Sequence, residues 1–218
     1  MLHGVAHAMN ANARLCGQLK IAIMSKAKPD YSELGRNLLN KLGVKAASGK
    51  HESCSAIWKG DNGATIFVGN QTTAKGPADA LNAKGITHVV NCTDDLPNYC
   101  AQSGKITYFK FNIANWQSAG HSDFRDRGVD AQVAFIEKMF GFVDGALAGG
   151  GSVLVHCLAG AHRAGTTGIL LLMHKAGLGA EQATAAAKAA RPIIDPIFDF
   201  VDCLAMYDAA RNRKSQDS

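Results

Sequence analysis

Cys157 and Arg163 stand six residues apart in the string HCLAGAHR, residues 156 to 163. An apolar, β-branched run, Val153 to Val155, ends abruptly at His156 and Cys157. After the small-residue loop comes Arg163 and a helix-like run, Thr166 to Lys175, so the segment reads as strand, loop, helix. The loop Leu158, Ala159, Gly160, Ala161, His162 carries little side-chain bulk at its centre, which lets backbone N–H groups converge on one point and hold an anion. The helix that follows turns its positive end to the same point, favouring a bound phosphate and a thiolate alike. In such surroundings a cysteine pKa falls from about 8.5 into the range of roughly 3.5 to 7.5. Arg163 offers a planar fork for two phosphoryl oxygens. The chemistry expected is attack of sulfur on a phosphate ester, with loop amides and a guanidinium taking up the charge.

His-Cys, five residues, then Arg resembles the signature of the cysteine-dependent protein tyrosine phosphatase superfamily. Ala159 and Gly160 match the loop of its small dual-specificity branch. The resemblance runs from about residue 55 to about residue 210 through IFVGN, LNAKGITHVVNCT, LPNY and ARPIIDPIFDF, with Asp195 and Ile197 where the family more often has other residues. It implies a cysteinyl-phosphate intermediate on Cys157 that water hydrolyses, with the phosphoryl group held by residues 158 to 162 and Arg163. His156 would hold the loop and steady the thiolate. Neither metal nor other cofactor is implied. No inserted tyrosine-recognition segment deepens the cleft, so the expected substrate is a phosphoprotein carrying phosphoserine, phosphothreonine or phosphotyrosine.

Two residues depart from the family pattern. Asn115 occupies the place of the aspartic acid that protonates the leaving group, and an amide cannot donate that proton. Asp123 is the expected replacement, with Asp126, Asp94 and Asp95 as alternatives. Ala164 follows the arginine where the family usually has Ser or Thr to help the cysteine leave in the second step; Thr166 or Thr167 would have to compensate. These departures keep two rivals open: a catalytically weak phosphate-binding pseudophosphatase, and a glucan phosphatase, whose branch also tolerates Ala after the arginine. An arsenate reductase or rhodanese-like sulfur carrier is disfavoured by the arginine spacing. Cys92, at the end of a strand expected beside that of Cys157, is either a buried small residue or a redox partner that captures an oxidised nucleophile as a disulfide.

These residues need a scaffold that brings strand ends together. Short runs at Ser55–Lys59 and Ala64–Val68 flank GDNG and predict a hairpin; Ile86–Asn91 and Ile106–Phe111 read as further strands. Pro77 opens a helix whose Ala80, Leu81 and Ala83 face inward, and Gly85 closes it. Val133, Ile136, Phe140, Val143 and Leu147 recur at helical spacing between Asp130 and Leu147. An alanine-rich helix spans Ala180 to Ala190, and Asp195 with Pro196 is expected to cap a last helix running to about Arg211. The fold class is α/β, a central mostly parallel twisted sheet flanked by helices, with a helical N-terminal extension. Ligands in such folds sit at the carboxyl ends of strands.

The chain has 218 residues and a formal net charge of +5. Residues 1–50 carry eight Lys/Arg and two acids, so the basic character belongs to that segment and not to a nucleic-acid-binding face of the domain. Six cysteines without a CxxC pair fit neither a disulfide framework nor a zinc site. No run reaches the roughly 20 apolar residues of a membrane span. A cytoplasmic monomer is expected, with residues 1–29 either an organelle transit peptide or a docked N-terminal helix. Asp30–Leu42 reads as an amphipathic helix presenting Leu34, Leu38, Leu39 and Leu42. The expected division is a basic extension, 1–52, a catalytic domain, 53–212, and a tail, 213–218.

Overall fold

The computed structural model describes residues 32–48, 52–116 and 128–216. Asp123, Asp126 and the basic stretch 1–29 lie outside them. The elements are α1 (Ser32–Leu39), β1 (Cys54–Lys59), β2 (Thr65–Gly69), α2 (Gln71–Ala74), α3 (Ala78–Asn82), β3 (Ile86–Asn91), β4 (Thr107–Lys110), α4 (Gly128–Ala148), β5 (Ser152–His156), α5 (Arg163–Ala176), α6 (Ala180–Ala190) and α7 (Asp199–Gln216).

Five strands form one sheet in the order β1-β2-β5-β3-β4, antiparallel between β1 and β2 and parallel elsewhere. β5 is central and wholly buried, which is why its sequence is a continuous apolar run and does not alternate. Val153 and Val155 face the larger core with α4, α5 and α6, while Leu154 faces a smaller one with Ala74, Leu81 and Val89. The five α4 positions predicted to point inward are all buried. Gly168 lets α5 approach the sheet, since a Cβ there would stand 2.6 Å from Cγ2 of Val68.

Several expectations are corrected. α1 stops at Leu39 and buries Leu38 and Leu39, with Leu42 buried in the turn beyond it, but leaves Leu34 exposed. Its Gly35 packs directly on the carbonyl of Ala185 in α6. Ala80 and Ala83 are exposed, because α3 is a single short turn with one buried apolar position, Leu81. Asp195 does not cap α7. Its amide donates to Ala161 (3.3 Å) and its carboxylate pairs with Lys188 (3.0 Å), so residues 194 to 197 stay outside helix and α7 starts only at Asp199. α5 begins earlier than expected, at Arg163 itself. No helix among the described residues is long and apolar enough to cross a membrane.

Candidate active site

Cys157 follows the central strand at its carboxyl end, and its side chain is buried. The register sets His156 between Gly69 of β2 and Asn91 of β3, so three strand ends frame the loop. Within the loop the Gly160 amide donates to Sγ of Cys157 at 3.3 Å. Gly160 has φ +70°, and a Cβ there would meet the carbonyl oxygen of Gly69 at 2.5 Å, so both conformation and space require glycine. The His162 carbonyl accepts from both the amide and the hydroxyl of Thr166, each at 2.8 Å, which makes Arg163 the first residue of α5 and turns the helix start to the loop.

Arg191 is a site residue that no local motif announced. It is 2% exposed and grips the loop from behind: Nε donates to the Gly160 carbonyl (3.1 Å) and Nη2 to that of Ala159 (3.4 Å). Nη1 reaches the Glu52 carbonyl (2.8 Å) and Ser55 Oγ (3.4 Å). Burial pulls its pKa down, yet a guanidinium stays charged at any working pH. It therefore places a fixed cation behind the loop. The sequence clue was its place in ARPIIDPIFDF, read only as a resemblance.

His156 is completely buried, and neither ring nitrogen has a hydrogen-bond partner among the described residues. Burial pushes its pKa down to about 4, so at neutral pH the ring brings no positive charge to the sulfur. The His156 main chain anchors the loop instead, its carbonyl accepting from the Cys92 amide at 2.9 Å. His162 is exposed, with Nδ1 2.6 Å from the Asp195 carbonyl; a carbonyl only accepts, so the proton is on Nδ1. Leu158 and Ala159 are exposed on the loop and Ala161 is buried.

Cys92 is fully buried, and its thiol donates to Oγ1 of Thr167 at 3.4 Å. Burial raises its pKa, which disfavours the thiolate that disulfide exchange needs. The Thr167 hydroxyl in turn donates to the Arg163 carbonyl (2.9 Å), while Thr166 donates to His162. Both protons are spent on backbone carbonyls at the start of α5. Neither hydroxyl is free to replace one missing at the buried Ala164.

Arg163 is partly exposed, and its Nη1 lies 3.9 Å from Oδ1 of Asp95 on the loop after β3. Asn115 falls in the 3-10 turn Ile113–Trp116 after β4. The sheet thus brings together Cys157, Arg163, Cys92 and Asp95 from the ends of β5, α5 and β3. A sulfur receiving an amide, beside a guanidinium at a helix start, is suited to hold a tetrahedral dianion and to attack its central atom.

Residues 66–210 match the family model described as dual specificity phosphatase, catalytic domain. The dual specificity protein phosphatase Mpk3 of Drosophila melanogaster is 34% identical over 144 residues, covering 66% of this chain and 32% of that protein. Dual specificity protein phosphatase 15 of Rattus norvegicus is 31% identical over 149 residues, covering 68% of this chain and 57% of that protein. The chain spans about a third of the Drosophila relative's length. Among solved structures, human DUSP28 has a TM-score of 0.60 at 21% identity, covering 76% of this chain and 99% of that one. A mouse putative dual specificity phosphatase complexed with zinc tungstate has a TM-score of 0.61 at 20% identity, covering 79% and 96%. At these identities the structures speak for the fold.

Proposed function

Because this chain belongs to the dual specificity phosphatase family, within the cysteine-based protein tyrosine phosphatase superfamily, we propose that it is a phosphoprotein phosphatase. Its substrates are phosphoserine, phosphothreonine and phosphotyrosine esters, cleaved through a cysteinyl-phosphate. The observation that carries this reading is the Gly160 amide on Sγ of Cys157, in a loop held by Arg191 and ending at Arg163.

In this mechanism the phosphoryl group enters the loop and Arg163 takes two of its oxygens. Cys157 attacks phosphorus in line with the ester oxygen; the S–P bond forms, the P–O bond breaks, and the leaving oxygen takes up a proton. Water then attacks phosphorus, the S–P bond breaks, and inorganic phosphate departs with the sulfur restored. Loop amides and the guanidinium stabilise the equatorial oxygens throughout, so the steps use no metal. Asp123, the donor expected from the sequence, lies outside the described residues.

Turnover of a small aryl phosphate by the wild type and by Cys157→Ser tests the reading. Phosphate release that vanishes with Cys157→Ser is expected. A second reading, a pseudophosphatase that holds phosphoproteins, is favoured by Ala164 together with the committed hydroxyls of Thr166 and Thr167. It stands instead if phosphate binds and no Cys157-dependent release occurs.

A further inference from the structure

Resting on the phosphatase reading above, we propose that Asp95 is the catalytic acid, supplying the proton that an amide at position 115 cannot. The loop from Cys92 to Asn98 is built to present its tip. Asn91, fully buried at the end of β3, accepts from the amide (3.1 Å) and hydroxyl (2.8 Å) of Thr93 and donates to the Leu96 carbonyl (2.9 Å) and Asn98 Oδ1 (3.1 Å). The Thr93 hydroxyl also accepts from the Leu96 amide (3.1 Å). From β4, Lys110 Nζ donates to the carbonyls of Asp94 (2.9 Å) and Leu96 (2.7 Å). The backbone on both sides of Asp95 is therefore fixed, while its carboxylate, the partner of Arg163 at 3.9 Å, makes no hydrogen bond among the described residues.

That carboxylate is aimed at the site. Oδ1 of Asp95 lies 3.9 Å from Nη1 of Arg163, the group proposed to hold the phosphoryl oxygens. The separation exceeds hydrogen-bond length, and the Asp95 side chain is 70% exposed, so the pair is weak and easily parted by an incoming phosphate. A carboxylate released from the guanidinium that now holds the phosphoryl group stays beside the loop, with an exposed side chain that can turn to the ester oxygen. β3 and β5 are neighbours with Asn91 opposite His156, so the loop and the nucleophile leave the sheet side by side.

The step balances. As sulfur bonds to phosphorus and the P–O bond breaks, the proton on the Asp95 carboxyl passes to the leaving oxygen and a carboxylate remains. In the second step that carboxylate takes a proton from the attacking water, the P–S bond breaks, and the carboxyl is ready again.

The experiment measures kcat/KM of the full chain, which reports the first step even if Ala164 slows the second, with aryl phosphates of differing leaving groups. Asp95→Asn is expected to lower kcat/KM about a hundred-fold or more for phenyl phosphate, within the usual worth of general acid catalysis. The loss should be less than about five-fold for 2,4-dinitrophenyl phosphate, whose leaving group needs no proton. Asp95→Glu should restore part of the loss. A purely structural role would lower both substrates alike, and a carboxylate that merely occupies Arg163 would make Asp95→Asn raise kcat/KM; either result overturns the assignment. So does the same leaving-group pattern appearing in Asp123→Asn or Asp94→Asn and not in Asp95→Asn. Wild type without Cys157-dependent turnover overturns the phosphatase reading itself, and the acid assignment with it.

Discussion

Arg191 and Cys157 grip opposite ends of one peptide unit. Nη2 of Arg191 donates to the carbonyl of Ala159 at 3.4 Å, and the N–H of the same peptide, that of Gly160, donates to Sγ of Cys157 at 3.3 Å. Because a trans peptide points its C=O and N–H in opposite directions, a guanidinium behind the loop aims the amide at the sulfur. The arginine has no access to the ligand and still sets the donor that a thiolate needs.

Arg191→Lys should therefore damage both stability and catalysis despite keeping the charge. An ammonium cannot reach Glu52, Ala159 and Gly160 together, so the buried Gly160 carbonyl loses its donor at about 1–3 kcal/mol and the part-buried contacts to Glu52 and Ala159 add less. Urea denaturation is expected to show a loss of about 2–4 kcal/mol, and aryl phosphate turnover a fall of roughly ten-fold or more.

Gly160→Ala tests the same peptide from inside. A methyl at φ +70°, 2.5 Å from the Gly69 oxygen, forces the loop to move and swings the amide off the sulfur. Turnover should drop by about a hundred-fold, a larger effect than the shift in the denaturation midpoint. Wild-type turnover in this variant would show that the Gly160 amide plays no part.

His156 makes stability depend on pH. Its folded pKa of about 4 lies below the ordinary 6.5, so above pH 6.5 the ring is neutral in both states and costs nothing. As pH falls from 6.5 towards 4 the unfolded chain takes up a proton that the folded one refuses, and stability declines by on the order of 3 kcal/mol in total. Below that the contribution is flat. Urea midpoints at pH 7.5 and 4.5 should differ more for the wild type than for His156→Gln; equal differences would mean the ring titrates normally.

Ala164→Ser should speed the second step. The hydroxyls of Thr166 and Thr167 already serve the backbone, so the wild type is expected to show a burst of phenol release followed by slow turnover. A serine hydroxyl beside Arg163 would assist the departing sulfur, shrink the burst and raise kcat several-fold, as stopped-flow traces would reveal.

Gly35→Val separates fold from site. The added side chain would meet the Ala185 carbonyl and, at 2.8 Å, the Ala189 methyl, wedging α1 off α6. A loss of about 1–3 kcal/mol in urea denaturation is expected, with turnover of the folded fraction unchanged.

What could be read from the sequence alone was whatever neighbouring residues decide among themselves. The apolar run of β5, the small loop after it, and the switch to helical periodicity lie within 25 residues, Ser152 to Ala176, so the pairing of Cys157 with Arg163 around a small-residue loop was visible in one stretch. The same holds for the inward stripe of α4, which one helical period specifies. Other features depend on which segments meet. Arg191 braces carbonyls of residues 52, 159 and 160, Asp95 reaches Arg163 from another strand end, and Asp195 leaves a helix cap to bond the loop. Whether Leu34 or Ala80 is covered depended likewise on what packs against a short helix. Local backbone preference acts over a few residues, whereas burial and long-range hydrogen bonds are settled only when the sheet order β1-β2-β5-β3-β4 brings distant ends of the chain together.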